Sequence, residues 1–256
     1  MKLQRVSAGS GGQWMRRGIS MFWRQPIALC GLFFMFFGAM IVISLIPLVG
    51  GMMALVLFPC GSLGLMIATR EAIEGRFPRP KLLWMGLLAS PRIRQYILTL
   101  GVFYTIGFMA LLGLSALADG GEFAQLYLLG GKMDVETLEQ PGFQTAVWLA
   151  MLLYLPLSAL FWHAPALAYW HQVPPIKSLF FSFAACWVNW RAMLVYALCW
   201  TALYTGAGMA LVLVATFMGE SETVGMLLVP LVLLLTAMFF CASYFSYHDS
   251  FEQTQT

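Results

Sequence analysis

Charge is what this 256-residue chain has least of. Asp, Glu, Lys and Arg make up 10% of it, where soluble domains carry about 25%. Six stretches hold none of the four: 27–46, 47–68, 96–118, 146–170, 192–218 and 226–247. Each is about 20 residues or longer, enough to cross roughly 30 Å of hydrocarbon as a helix. Lipid offers no partner to a bare backbone N–H or C=O, so such stretches are helical. The expected fold class is all-α: a polytopic membrane protein with six transmembrane helices in three hairpins. The longest connection is under about 30 residues, too short for a self-supporting soluble core, so 1–256 reads as a single membrane domain.

Catalytic patterns are missing too. The chain contains no P-loop, no Ser-centred G-x-S-x-G, no H-E-x-x-H and no D-x-D pair. Acid–base catalysis needs positioned titratable groups, and only His163 and the interfacial charges offer any. An enzyme is not expected, nor a bound cofactor or metal. Cys30, Cys60, Cys186, Cys199 and Cys241 form no C-x-x-C pair and none lies in an outward-facing connection, which excludes a disulfide framework. They read as small apolar packing residues.

The few charges are sorted by sign. Of 14 Lys and Arg, 13 fall in the N-terminal segment (Lys2, Arg5, Arg16, Arg17, Arg24), the second connection (Arg70, Arg76, Arg79, Lys81, Arg92, Arg94) and the fourth (Lys177, Arg191), leaving Lys132. Seven of 11 acids, Asp119, Glu122, Asp134, Glu136, Glu139, Glu220 and Glu222, fall in the third and fifth connections. Lys and Arg bias toward the cytoplasm sets orientation, which places both termini and the even-numbered connections there, in a bacterial inner membrane. The first 25 residues lack a small-residue cleavage site and read as a retained anchor. Positive residues that flank spans point to anionic lipid headgroups and not to nucleic acid.

The layout reads as one unit used three times, in that each odd-numbered span follows a short amphipathic stretch. Met15, Ile19, Phe22 and Trp23 share one helical face, opposite Arg16, Ser20 and Arg24. Ile176, Phe180, Phe183, Trp187 and Trp190 share another, against Ser178, Ser182, Ala185 and Asn189. The middle stretch, 82–88, is apolar nearly all round. Such helices lie in the headgroup plane, aromatic side down. Pro47, Pro156 and Pro230 each fall early in a returning span, where a missing N–H costs little. Residues 123–129 read as a short apolar helix resting on the outer interface. Small residues at helical spacing, Ala202, Gly206, Gly208 and Ala210, Gly31 with Gly38, and Ala237 with Cys241, mark packing contacts within the chain or between chains.

His163 is the ionisable side chain expected inside the hydrocarbon, about two turns or roughly 10 Å from the cytoplasmic end of its span. Intramembrane ionisable groups are functional candidates. A structural role competes, because Pro165 frees the Phe161 carbonyl as an acceptor. His171 follows two turns later, without the acids or thiols of a metal set. Arg70 and Glu74 stand at i, i+4 and can pair. With Glu71, His171 and Arg191 they form either a solvated helix end or a polar cluster for a headgroup or a partner's tail. Arg16, Arg17, Arg24, Arg92 and Arg94 are the candidate headgroup contacts.

The strings Leu160-Phe161-Trp162-His163-Ala164-Pro165-Ala166-Leu167, Val173-Pro174-Pro175-Ile176-Lys177-Ser178 and Ala185-Cys186-Trp187 resemble a family of uncharacterised six-span betaproteobacterial inner-membrane proteins. Phe22-Trp23-Arg24-Gln25-Pro26, Ala68-Thr69-Arg70-Glu71-Ala72 and Gly75-Arg76-Phe77-Pro78 extend that resemblance to nearly the whole chain. It implies a membrane location and no activity. In architecture, the three hairpins are similar to the membrane domain attached to some bacterial glycerophosphodiester phosphodiesterases, whose catalytic barrel is absent from this sequence. The expected function is that of a non-enzymatic accessory or scaffold protein acting through helix packing and lipid contacts, with membrane lipids and another membrane protein as partners. A transporter or lipid conduit built from repeated hairpins is the alternative.

Overall fold

A computed structural model describes residues 3–130, 135–218 and 221–251. Helices α1 (Ser10–Phe22), α2 (Pro26–Ser44) and α3 (Gly50–Ile73) come first. A 3-10 turn (Pro80–Trp84) runs into α4 (Met85–Leu88), followed by α5 (Pro91–Asp119), α6 (Glu122–Leu129) and α7 (Val135–Glu139). Then come α8 (Pro141–Phe161), α9 (Ala164–Trp170), α10 (Pro175–Val188), α11 (Trp190–Met218) and α12 (Ser221–Phe251). The described residues contain no strand. Six of these segments are long and apolar enough to cross a bilayer: α2, α3, α5, α8 with α9, α11 and α12. The protein is an all-α polytopic membrane protein. Lys132, Asp134 and Glu220 lie outside the described residues.

Most spans outrun the charge-free stretches. Absence of charge marks what lipid can bury, whereas caps and prolines mark where a helix begins. In α5, Ser90 caps and Pro91 opens the helix, so Arg92 and Arg94 fall inside its first turn. Pro156 and Pro230 lie within α8 and α12. Pro47 does not share that place. It sits in the reversal between α2 and α3, where its carbonyl accepts from Val49 N–H and Leu48 takes a left-handed φ of 68°.

The chain packs as two compact units. The first comprises 1–37, 61–85 and 184–256. Here α1 lies on α11 and α12 through two glycines. A Cβ on Gly11 would stand 2.6 Å from Tyr196 N, and one on Gly18 would stand 2.5 Å from Ala242 Cα. The face of α1 is therefore not the expected one. Gly11, Trp14, Gly18, Met21 and Phe22 are buried, while Met15 and Ile19 are only half-buried and Trp23 is exposed. Counting bulky apolar residues misplaced the face, because close approach of helices is decided by glycine. Gly64 likewise receives the backbone of Leu82 and Leu83.

The second unit comprises 38–60 and 86–183. Gly101 admits the backbone of Val56, and Gly107 faces Leu157. Tyr104, Phe108, Leu111, Leu112, Ala150 and Leu157 form its core between α5 and α8. The short helix α6 forms as expected, yet it packs on this hairpin through Phe123 and Tyr127. Their rings stand 6.0 Å from Phe143 and 5.1 Å from Phe108.

Along α10 the expected pattern holds. Ile176, Phe180, Phe183 and Trp187 are exposed, while Ser178, Ser182 and Ala185 are buried. Ala237 and Cys241 are buried as small contact residues. The fifth-span and first-span stripes are not internal contacts. A Cβ at Gly31, Gly38, Gly206 or Gly208 would meet no neighbour, and Ala202 and Ala210 are exposed.

Candidate headgroup site

The candidate site starts from the charged face of α1. Residues 13, 16, 17 and 20 recur at three- and four-residue spacing, so they stack along one side of the helix, and Arg24 follows just past its end. Gln13, Arg16, Arg17, Ser20 and Arg24 line a concavity of about 480 Å³, floored by Met21, Ile73 and Phe245. Arg17 is held in place. Its Nη1 donates to both carboxylate oxygens of Asp249, at 3.0 and 2.8 Å. Its guanidinium lies 4.4 Å from the centre of the Phe245 ring. Trp14 Nε1 donates to Asp249 at 2.9 Å, and His248 Nδ1 stands 3.2 Å from the same carboxylate. Among the described residues no carboxylate pairs with Arg16 or Arg24. Two exposed cations beside a third, fixed one form a basic cup with hydroxyl and amide groups on its wall. Its chemistry suits an oxyanion, because arginine forks match phosphate geometry.

The other candidates fall in separate places. Arg70 pairs with Glu74 at 3.4 Å, as the i, i+4 spacing predicts. Glu71 takes a partner the sequence reading missed. Arg76 Nη2 donates to it at 2.9 Å, and Arg76 also pairs with Glu74. Its hydrogen bond to Glu71 pushes the Arg76 pKa up, holding it as a cation. The signal was Gly75. Its φ of 75° ends α3, with Gly75 N–H bonded to Ala72 O and Arg76 N–H to Glu71 O, which folds Arg76 back over the last turn. Arg191 stands elsewhere, 5.5 Å over the Trp190 ring and beside Arg5, Val6, Ser7 and Ala8. Arg92 donates to Tyr96 Oη at 2.9 Å, so its polar tip is engaged by its own helix. Arg94 lines a shallow depression with Gln95 and Thr99.

His163 is buried, with 1% of its surface exposed. It marks a break the sequence reading did not place: α8 ends at Phe161 and α9 begins at Ala164. Ser182 of α10 spans the break. Its Oγ accepts from His163 N–H at 2.9 Å and donates to the Ala159 carbonyl at 2.8 Å. His171 caps the far end of α9 and is exposed. Among the described residues no three His, Cys, Asp or Glu side chains gather as a metal set would require.

A protein of Burkholderia thailandensis named as a probable inner membrane protein is 39% identical to this chain over 254 residues, covering 98% of the chain and 94% of the relative. The chain belongs to that inner-membrane protein family. No family model matches it, and no solved structure matches it. For a protein of the inner membrane, the apolar surfaces of α2, α8 and α11 have a natural solvent in lipid. Exposed Phe34, Trp148, Leu152 and Val212 need no protein cover there. The arginine cup, in contrast, is lined by three cations, an amide and a hydroxyl.

Proposed function

We infer that this inner-membrane protein is a non-enzymatic accessory or scaffold component, anchored at the cytoplasmic face by anionic lipid headgroups and working beside another membrane protein. The observation that carries the reading is the convergence of Arg16, Arg17 and Arg24 on one cup, with Arg17 oriented by Asp249. Each basic side chain near an anionic surface contributes about 1 kcal/mol. Both termini on the cytoplasmic side would put this cup against the anionic leaflet. The likeness in layout to the membrane domain of some glycerophosphodiester phosphodiesterases agrees with a membrane part that serves another component. Nucleic acid is not a partner in this reading.

Detergent-free extraction of native membranes tests it. A second membrane protein in stoichiometric amount, together with enriched anionic lipid, is the expected result. Purified protein that moves lipid or solute across reconstituted vesicles without a partner would replace the scaffold reading with a conduit.

A further inference from the structure

A second cavity lies wholly within the second unit, between α3, α5, α6 and α8. Its volume is about 410 Å³, within the range of about 300–1,000 Å³ usual for small-molecule sites. Phe58, Tyr104, Phe108, Phe123, Tyr127 and Tyr154 supply six aromatic rings, and none of its lining residues carries a charge. Rings already stack across it: Phe58 and Tyr104 are nearly parallel with centres 5.3 Å apart. The three phenols are the polar groups of the wall. Tyr104, Tyr127 and Tyr154 all line the same cavity. Tyr104 is 5% exposed, whereas Tyr127 is 57% and Tyr154 is 41%. The cavity therefore has a closed end at Tyr104 and opens sideways along exposed Met151.

Its depth narrows the occupant. Tyr104 lies near the middle of Pro91–Asp119, about 20 Å from either end at 1.5 Å per residue. Tyr154 is likewise about 20 Å from the first residue of Pro141–Phe161. The ester groups of a diacyl lipid stand at the edge of the hydrocarbon, about 15 Å from its centre, short of the closed end at Tyr104. A fatty acid would bring a carboxylate to a wall without a cation, a costly burial. What fits is an uncharged, flat, acceptor-bearing ring on a hydrocarbon tail. Such a ring stacks on Phe58 and Tyr104, its carbonyls accept from the phenols, and its tail leaves past Met151 into lipid.

We propose that this cavity binds a lipid-soluble quinone, with Tyr104, Tyr127 and Tyr154 as donors to its carbonyl oxygens. The site shares no residue with the arginine cup, and its test reports on neither headgroups nor partners.

Decylubiquinone titrated into the full-length protein in mild detergent, followed by thermal shift and by equilibrium binding, should give saturable 1:1 association. Tyr104→Phe and Tyr154→Phe keep the rings and remove the hydroxyls. Each should weaken binding about fivefold, the loss of one ordinary hydrogen bond. Ala150→Trp should fill the cavity and abolish binding, with folding checked by unchanged helical content. A saturated C10 alcohol and decanoic acid should compete poorly. Absence of saturable binding, equal competition by either straight-chain compound, or tyrosine variants indistinguishable from the parent would each overturn the assignment.

Discussion

Asp249, near the end of α12, accepts two hydrogen bonds from Arg17 and one from Trp14, fastening the amphipathic α1 to the last span. The contact joins residues 232 positions apart. It turns a helix that the sequence pattern would lay on the membrane into one docked on protein. Replacing Asp249 by Asn removes the charge and leaves two donors competing for one amide oxygen. The pair is partly exposed, so the expected loss is about 1 kcal/mol. Thermal unfolding in detergent should show a modest drop, with faster hydrogen exchange across α1. An unchanged exchange rate there would mean that the glycine contacts alone hold the helix.

Those glycine contacts lead to a second expectation. Gly18→Ala drives a methyl into the Ala242 backbone and should destabilise by about 1–3 kcal/mol, the usual range for overpacking. Gly206→Ala meets open space and should be neutral, or stabilising by up to about 1 kcal/mol through helix propensity. Denaturation of the two variants side by side should give opposite signs.

At the broken span, the exchange between His163, Ser182 and Ala159 predicts a third result. Ser182→Ala removes both hydrogen bonds, the one from His163 N–H and the one to the Ala159 carbonyl, at a cost of about 1–3 kcal/mol. For His163 itself, Gln retains a donor and an acceptor and should accumulate normally, whereas Leu should accumulate poorly. A Gln variant that accumulates normally but loses the protein's cellular activity would show that the imidazole serves more than packing.

Orientation is tested by labelling intact cells. With the five native cysteines replaced by Ser, a membrane-impermeant thiol reagent should reach Cys introduced at Asp134 or Glu222 and miss one at Arg79. Labelling at Arg79 alone would invert the topology.

Much of this architecture is legible in the chain because lipid leaves little choice: a 20-residue stretch without charge has one way to satisfy its backbone. The spans, the aromatic face of α10 and the Arg70–Glu74 pair follow from such local rules. What escaped depends on approach between distant segments. The docked face of α1 is set by Gly11 against Tyr196 and Gly18 against Ala242, far along the chain, and periodicity cannot see a face made of glycine. The break at His163 was signalled by Pro165, but its repair by Ser182 arrives from another helix. Of the five candidate headgroup arginines, Arg16, Arg17 and Arg24 do meet at one cup. Arg17 is also pinned by Asp249, and Arg92 is engaged by Tyr96.

The central claim is that the cup recognises anionic lipid, and native mass spectrometry of the intact protein with added phosphatidylglycerol measures it most directly. The parent protein should retain phosphatidylglycerol in preference to phosphatidylethanolamine. The double variant Arg16→Gln, Arg24→Gln should lose about 2 kcal/mol of that binding, roughly a 30-fold drop in affinity. Equal retention of the two lipids by the parent, or undiminished phosphatidylglycerol binding by the double variant, would contradict the account.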